Sequence, residues 1–252
     1  MKKILGAATT SLILAGCGGE VSNFDTLNIV GRSFSQEASG INVDLGAGGG
    51  LANQNLSVYF GSEDSATVSL GGSSVFLTRQ EDGSYEDFAG NNLLYVATLL
   101  TDGPVTPDML YFSLFTSDSA TSIDTLFFVD GNRTSVSNLP SSAATYTGVV
   151  KTLDQNIDLG AGTITLNVDF AGGLVGGQID GAVPGNTAAA LTIDEASFSG
   201  SNFATTLSSA DVSITSSQID GQFFGSSGDQ VGGDLSLEAP GQYIAGYYGA
   251  TN

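Results

Sequence analysis

An all-β protein of two domains is predicted by three features of this sequence. Short runs rich in β-branched and aromatic residues recur along the chain, and each is followed by residues that favour turns. Glycine makes up 35 of the 252 residues, and no segment shows the 3.6-residue apolar period of an amphipathic helix. We therefore predict an N-terminal antiparallel β-sheet domain and a C-terminal small closed antiparallel β-barrel of about eight strands.

The first residues are typical of a lipoprotein signal peptide. Lys2 and Lys3 precede an uncharged run, Ile4–Leu14, that is too short to span a membrane as a stable helix. Leu14-Ala-Gly-Cys17 resembles the bacterial lipobox, so we expect residues 1–16 to be removed and Cys17 to be acylated. An ordinary cleaved signal beside a chance cysteine is the alternative. Cys17 is the only cysteine, which excludes a disulfide framework.

After this signal, residues 17–23 are predicted to form a lipidated tether, and the first β domain follows over residues 24–139. Its candidate strands alternate with turns that contain Asp-Gly, Gly-Gly or Gly-Pro pairs. They are Leu27–Val30, Leu56–Phe60, Ala66–Leu70, Ser74–Thr78, Leu93–Ala97, Met109–Phe115 and Thr125–Val129. Pro140 and the small residues beside it mark the boundary between the domains.

The second domain is expected over residues 140–252. Its strands show period-two alternation, with Ile164, Leu166 and Val168 on one face of the second strand. The candidates are Thr145–Lys151, Thr163–Phe170, Leu174–Asp180, Ala189–Asp194, Ala196–Phe203, Asp211–Thr215, Ile219–Gly225, Val231–Leu237 and Tyr243–Gly249. Glycines inside the last three strands favour a sheet that bends sharply or that another backbone approaches closely.

The C-terminal motifs resemble those of a known family. Gly221-Gln-Phe-Phe-Gly225 is followed by an acid at Asp229, by Val231-Gly-Gly233 and by the closing aromatic strand. Together with Tyr146-Thr-Gly148 and the strand Gly162–Phe170, this order resembles the C-terminal barrel domain of transferrin-binding protein B. The resemblance covers roughly residues 141–252. One departure is that Asp229 replaces the family's glutamate and is separated from the glycine pair by Gln230.

The resemblance implies a function as well as a fold. The N-terminal domain would correspond to the smaller, handle-like sheet of the family, and the protein would be an outer-membrane lipoprotein that captures a protein ligand at the cell surface, including for iron or haem acquisition. Gly18 after Cys17, instead of an inner-membrane-retaining aspartate, agrees with the outer membrane, although a periplasm-facing orientation stays open. A small-solute or haem-binding lipoprotein and a structural or adhesive surface protein are the alternatives.

The sequence contains few residues that are suited to catalysis. The chain has no histidine, which excludes a Ser-His-Asp triad and a histidine metal site, and the only thiol is assigned to lipid. We therefore predict a non-enzyme with no cofactor, catalytic residue or metal ligand. Asp154-x-Asn156-x-Asp158 begins like a calcium loop, but Leu159 and Thr165 stand where glycine and glutamate are required. A calcium ion held between turns stays open as a weaker alternative.

Carboxylates and aromatic residues are the remaining candidates for function. Glu81/Asp82, Glu86/Asp87 and Asp194/Glu195 are adjacent in sequence, but neighbours on a strand point to opposite faces, so we expect solvated loops. The aromatic side chains that occur in close succession have two interpretations, packing between the domains or exposure to a partner protein. These side chains are Tyr111, Phe112, Phe115, Phe127, Phe128, Tyr247 and Tyr248.

The charge balance is strongly acidic. All 26 acidic residues follow Cys17, and removal of Lys2 and Lys3 leaves four basic residues, so the mature chain has a formal charge of −22. Binding to nucleic acid or to an anionic membrane surface by charge is therefore excluded. We expect the membrane to be engaged through the lipid at Cys17 and the unidentified extracellular protein through the folded body.

Overall fold

The computed structural model describes residues 29–44, 48–97, 108–117 and 122–252. In the first half of the chain the strands are β1 (Ser33–Asp44), β2 (Gly48–Leu51), β3 (Gln54–Ser62), β4 (Ser65–Leu70), β5 (Ser73–Arg79), β6 (Tyr85–Glu86), β7 (Asn92–Ala97), β8 (Met109–Ser117) and β9 (Ser122–Gly131). In the second half they are β10 (Ala144–Asp154), β11 (Leu159–Asp169), β12 (Leu174–Asp180), β13 (Ala190–Ser197), β14 (Asn202–Thr205), β15 (Leu207–Ser208), β16 (Ser216–Phe224), β17 (Gln230–Ala239) and β18 (Gln242–Thr251).

The N-terminal sheet closes on itself. The order is β1-β3-β4-β5-β6-β7-β8-β9, every pair is antiparallel, and β9 returns to pair with β1 from Ser39↔Phe127 to Asp44↔Ser122. β1 is long enough to pair with β3 through its first half and with β9 through its second half. Closure removes the free edges of the sheet, which would otherwise expose unpaired backbone groups.

The C-terminal sheet forms a nearly closed barrel in the order β14-β16-β17-β18-β10-β11-β12-β13-β15. β14 and β15 are two parts of one stretch interrupted at Thr206; the first part pairs with β16 and the second with β13. The Ser217 side chain on β16 takes the place of the missing backbone pairing at the interruption. Its hydroxyl accepts from Leu207 N–H at 2.8 Å and donates to Leu207 C=O at 2.9 Å. Counted as one strand, this stretch completes a ring of eight.

Each barrel is filled by its own side chains. In β3, Leu56, Val58 and Phe60 point inward and are buried, whereas the residues between them face solvent. The N-terminal core is built around stacked and edge-on rings, including Phe112 on Phe128 at 4.3 Å between ring centroids. In the C-terminal core, Phe223 packs against Tyr146 at 5.8 Å and against Phe170 at 5.1 Å.

The predicted fold class is confirmed, since the described chain is antiparallel β throughout apart from one short 3-10 helix at Val136–Asn138. The N-terminal part, expected as a handle-like sheet, is itself a closed barrel. The sequence could not show this, because closure depends on the pairing of β1 with β9, from Asp44↔Ser122 to Ser39↔Phe127, and these residues are far apart in the chain. The first sheet ends at Gly131 and the second begins at Ala144, so residues 132–143 connect them. In the described part of the chain no helix is long and apolar enough to cross a membrane.

Several predicted strands need correction. β1 was not foreseen, because polar residues such as Gln36 and Glu37 interrupt its apolar pattern. Asp211–Thr215 is not a strand; the Asp211 carboxylate accepts from Ala190 N–H at 3.1 Å and so holds this loop against β13. Ala196–Phe203 is broken by a turn in which Gly200 has a φ of +69°. Of Leu27–Val30, residues 27 and 28 lie outside the described part, and Ile29 and Val30 lead into a turn.

Candidate ligand-binding surfaces

The two barrels pack against each other through β1, β2 and β9 on one side and β17 and β18 on the other. Side chains of β8 reach the same interface. An apolar cluster that draws on both barrels fills this interface. Its buried members are Ile41, Val43, Tyr95, Met109, Tyr111, Phe115, Ile123, Phe127, Val129, Leu153, Phe224, Ala245 and Tyr247. The interface therefore resembles a third hydrophobic core placed between two barrel interiors.

Two glycines of the C-terminal motif leave the space that this interface needs. A side chain at Gly249 would meet the hydroxyl group of Tyr111, and one at Gly232 would meet the sulphur of Met109. Neither glycine has a positive φ, so close approach of the other barrel, and not backbone conformation, explains them.

The aromatic residues singled out in the sequence are buried. Tyr247 contacts Tyr111 and Phe127, with ring centroids 5.1 and 5.8 Å apart, so these three side chains pack between the barrels. Phe112 and Phe128 lie inside the N-terminal barrel, and Phe115 packs against the Tyr95 ring at 6.1 Å within the interface. Tyr248 lies in the C-terminal core and donates to the carbonyl of Asp220 at 2.9 Å. Packing between the domains is therefore confirmed for Tyr111, Phe115, Phe127 and Tyr247. Exposure to a partner is wrong for all seven side chains, and the other three fill barrel interiors.

A buried carboxyl group bridges the barrels at Asp234. The side chain is 1% exposed; one carboxyl oxygen accepts from Ser39 N–H at 2.9 Å, and the other lies 3.4 Å from Gln36 Nε2. Burial, the largest cause, and the nearby Asp220 carboxyl together raise the pKa of Asp234 to about 8, against the opposing hydrogen bond from Ser39. Asp234 is thus largely protonated at neutral pH and acts as a buried hydrogen-bonding group.

Because the chain has no histidine and its only thiol is assigned to lipid, tyrosine is the plausible axial ligand if the protein binds haem. Burial raises the pKa of Tyr85 and of Tyr146 to about 12, and it raises the pKa of Tyr111 and Tyr248 well above the ordinary value of 10. A tyrosine ligates haem iron as a phenolate. These four hydroxyl groups are therefore poorly suited to that role.

The N-terminal barrel presents an uncharged outer surface, which we call the outer wall. It consists of the outward side chains of β3, β4 and β5, and the residues are Asn55, Ser57, Tyr59, Ser65, Thr67, Ser69, Ser74, Phe76 and Thr78. Tyr59 pairs with Thr67 and Thr67 with Phe76, so the two aromatic rings flank one threonine across three strands. Tyr59 is 46% and Phe76 is 64% exposed, and Phe88, in the loop after β6, is fully exposed.

The C-terminal barrel carries a groove on its outer surface, which we call the distal groove. It has a volume of about 880 Å³ and runs across β10 to β13. The polar side chains along it are Thr145, Thr165, Asn167, Asp169, Gln178, Asp180, Thr192 and Glu195. Gly176 and Gly177 form part of its floor at a β-bulge, where the pairing of β12 with β13 shifts by one residue.

The distal groove faces away from the N-terminal barrel, and most of the outer wall faces away from the C-terminal barrel. In an eight-stranded ring each strand faces the strand four positions away. β17 and β18, which contact the N-terminal barrel, therefore lie opposite β12 and β13, which carry the groove. By the same reasoning β8 and β9 lie opposite β4 and β5, which carry most of the outer wall, whereas β3 lies next to β1 and so at the side of the N-terminal barrel.

Residues 127–252 match the family model described as the C-lobe and N-lobe beta barrels of Tf-binding protein B. The chain belongs to this family. The match begins within β9 and includes every strand of the C-terminal barrel, and so it contains the motifs that carry the resemblance in the sequence. Members of the family are non-catalytic binding proteins, and this chain shares that class.

Solved structures show the same fold over both barrels of this transferrin-binding protein B relative. The intact protein titled Ap-TbpB (N and C lobes) has a TM-score of 0.50 and 14% identity, over 86% of this chain and 46% of that one. A variant of transferrin-binding protein B from Haemophilus parasuis Hp5 has a TM-score of 0.52 and 13% identity, over 86% and 45%. This chain thus spans less than half the length of either protein. Identities this low establish the fold alone.

A further structural match is the haemoglobin receptor HpuA from Kingella denitrificans, with a TM-score of 0.48 and 14% identity. That match covers 87% of this chain and 85% of the receptor. A search of curated proteins finds no match.

The adjacent carboxylates have structural roles where their contacts are defined. Asp82 accepts from the backbone and hydroxyl of Ser84 within a turn, and Asp87 organises the loop before β7. Asp194 accepts from the hydroxyls of Thr206 and Ser208 at 2.6 Å, and the bond from Ser208, followed by that from Thr206, lowers the pKa of Asp194. This carboxylate therefore fastens β13 to the interrupted strand.

The calcium-like segment is likewise occupied by protein contacts. One carboxyl oxygen of Asp154 accepts from Asn156 N–H and Asp158 N–H at 2.9 Å, and the other accepts from the side-chain amides of Asn156 and Gln242 at 3.2 Å. The described residues contain no cluster of three or more metal-ligating side chains. Asp154 is therefore a turn-organising residue.

Cys17 and the predicted signal and tether lie outside the described residues. Sequence reasoning missed both surface features, the outer wall and the distal groove. A signal for the wall is present, since Tyr59 and Phe76 alternate with buried residues and so occupy the outward positions of their strands. No comparable signal exists for the groove, because its lining comes from four strands whose alignment depends on register.

Proposed function

We propose that this protein is an outer-membrane lipoprotein, anchored by lipid at Cys17, that captures an extracellular protein ligand at the cell surface. Its membership of the transferrin-binding protein B family supports a binding function, and that family contains lipoproteins. The relatives with solved structures include transferrin-binding protein B and a haemoglobin receptor. An iron- or haem-carrying protein is accordingly the first class of ligand to test.

The distal groove is the observation that carries the proposal. It is concave, it crosses four strands of a rigid barrel, and it lies on the side turned away from the N-terminal barrel. Its lining includes Asp169, Asp180 and Glu195 and no basic residue. Together with the strongly acidic composition, this lining favours a ligand that presents a basic or polar segment, because complementary charge accelerates encounter and rejects acidic competitors.

The alternative of a small solute held within a barrel receives less support. Both barrel interiors are filled by apolar and aromatic side chains, whereas a solute site of this kind is an enclosed cavity lined by a few polar groups. A purely structural role would leave the groove without a function.

Site-specific crosslinking tests the groove. A photoreactive amino acid at Gln178, in the groove, is expected to capture a protein ligand from the native environment of the cells. The matched control is the same amino acid at Ser69, which is also an outward strand residue but lies on the outer wall. Equal capture at both positions, or capture only at Ser69, would contradict ligand binding in the groove.

Protease shaving of intact cells tests the location. Loss of the protein while a periplasmic control protein stays intact supports exposure on the cell surface. Complete protection would exclude a surface receptor and would favour a periplasm-facing orientation.

A further inference from the structure

We infer that the outer wall is a membrane-docking surface, by which the N-terminal barrel lies against the phospholipid surface to which its N-terminal end is attached. The inference requires attachment at that end, as in the proposed function, but it is independent of the ligand and of the distal groove.

The chain enters the fold beside the outer wall. Gly31 N–H donates to Phe60 C=O at 2.7 Å, and Ser33, the first residue of β1, pairs with Tyr59. Val30 at this entry point is 43% exposed. Ile29 lies twelve positions after Cys17, and a stretch of this length spans at most about 40 Å when fully extended. A lipid at Cys17 therefore keeps the entry point, and with it Tyr59, near the membrane surface.

The composition of the outer wall suits a lipid interface. The wall combines two exposed aromatic rings with serine, threonine and asparagine side chains, and the neighbouring Phe88 is fully exposed. Aromatic side chains partition favourably into the headgroup region. The wall contains no charged residue, although the mature chain has a formal charge of −22. The nearest acidic residues are Glu37 on β1, which pairs with the wall residue Asn55, Glu86, which pairs with Thr78, and Glu63 and Asp64 in the turn between β3 and β4.

The tether makes weak docking sufficient. Three exposed aromatic side chains would not hold a free protein on a membrane, but attachment turns docking into an intramolecular step with a high effective concentration. With the wall against the membrane, the distal groove, which lies on the side of the C-terminal barrel turned away from the N-terminal barrel, is kept clear of the lipid surface. Docking thus orients the groove towards ligands in the medium.

The sequence makes a direct test possible, since the chain contains neither tryptophan nor histidine. Phe76→Trp introduces a single tryptophan on the outer wall, and a hexahistidine tag in place of Cys17 attaches residues 18–252 to vesicles that carry a nickel-chelating lipid. On vesicles of phosphatidylcholine and phosphatidylethanolamine, the emission of this tryptophan is expected to shift to shorter wavelength. Bromine-labelled acyl chains should quench it. Phe88→Trp provides a second reporter with the same expectation.

Val136→Trp is the matched control, because Val136 is 63% exposed and lies beside Gly200 of the C-terminal barrel. Its emission should be the same on vesicles and in solution. Adding Tyr59→Ser to Phe76→Trp should reduce the quenching, and replacing part of the neutral lipid with phosphatidylglycerol should reduce it as well, because the body is acidic. Emission from Phe76→Trp and Phe88→Trp that is unchanged on attached vesicles would overturn the inference and would favour a protein partner for the wall.

Discussion

Asp234 carries a carboxyl group between the two barrels, where an ionised group would lose most of its hydration. The groups that face it from the surrounding strands are polar or acidic. They are Gln36 and Ser39 on β1, Asp220 on β16 and Tyr248 on β18. None of these groups supplies a compensating positive charge. The carboxyl group therefore keeps its proton until the pH approaches its pKa of about 8.

The stability of the protein is therefore expected to depend on this proton. The carboxyl pKa is about 8 in the folded chain and about 4 in an unfolded one. Between these values the folded state holds a proton that the unfolded state lacks. The free energy of unfolding should therefore fall as pH rises, by about 1.4 kcal/mol per pH unit for this one group.

Urea unfolding of the wild type and of Asp234→Asn across this pH range measures the effect. The amide does not titrate, so the variant should gain stability relative to the wild type as pH increases. Asp64→Asn, at an exposed turn, is the control. A difference between Asp234→Asn and the wild type that stays constant with pH would contradict the assignment.

Two buried tyrosines give opposite predictions for the same substitution. The hydroxyl of Tyr111 is buried without a hydrogen-bond partner among the described residues, whereas that of Tyr146 donates to Gly228 C=O at 2.5 Å. Tyr111→Phe should stabilise the protein by about 1 kcal/mol, and Tyr146→Phe should destabilise it by about 1–2 kcal/mol. Thermal unfolding of both variants checks the pair. Equal effects would show that hydrogen bonding does not distinguish the two sites.

At the scale of elements, β17 and β18 serve both the barrel and the interface. Their inward side chains fill the C-terminal core, and their outward positions include Gly232 and Gly249, which leave space for Met109 and Tyr111. The glycine motif that marks the family in the sequence thus acts partly as a docking surface for the neighbouring barrel.

Gly249→Ala should destabilise the contact between the barrels by about 1–3 kcal/mol, because the added methyl group meets the rigidly held Tyr111 hydroxyl. Gly232→Ala should cost less, since the Met109 side chain is flexible. Adding Tyr111→Phe to Gly249→Ala removes the obstructing oxygen and should recover part of the loss. Denaturant unfolding of the single and double variants measures this coupling, and strictly additive effects would argue against the contact.

The interrupted strand, formed by β14 and β15, depends on the Ser217 side chain. Ser217→Ala leaves the N–H and C=O of Leu207 without the side chain that joins them to β16. Amide hydrogen exchange should accelerate at Asn202–Ser208 and stay unchanged in β10 and β11. Ser137→Ala, in the exposed connecting segment, is the control. Unchanged exchange at Leu207 would show that the interruption is closed by other contacts.

At the scale of the whole molecule, the two barrels share an apolar interface, so they form one body that carries the wall on the N-terminal barrel and the groove on the far side of the C-terminal barrel. Cys17→Ser tests the anchor on which the proposed orientation depends. The variant should leave the membrane fraction and should no longer be removed by protease shaving, because docking by the outer wall is too weak without attachment. Cell fractionation measures this outcome. A Cys17→Ser protein that stays with the membrane would show that the lipid is not the main attachment.

The sequence alone determined the β class, most strand positions and the family. Period-two alternation and turn residues are local properties, so Leu174–Asp180 was predicted with its observed bounds and the closing strands within one to three residues. The lack of histidine likewise excluded the commonest catalytic and metal-binding arrangements without any structure. β1 was missed because its polar outward residues mask its apolar ones.

Only the tertiary structure decided how the strands close and which residues meet. Closure of the N-terminal barrel depends on β1 and β9, and the burial of Asp234 depends on Ser39, nearly 200 residues away in the chain. Strand register decides which face of a barrel each aromatic side chain occupies. Tyr111 and Tyr247 therefore lie in the interface, whereas Tyr59 and Phe76 are exposed, although the sequence alone does not distinguish them. These outcomes are non-local, because a shift of one residue in strand register would exchange the inner and outer faces.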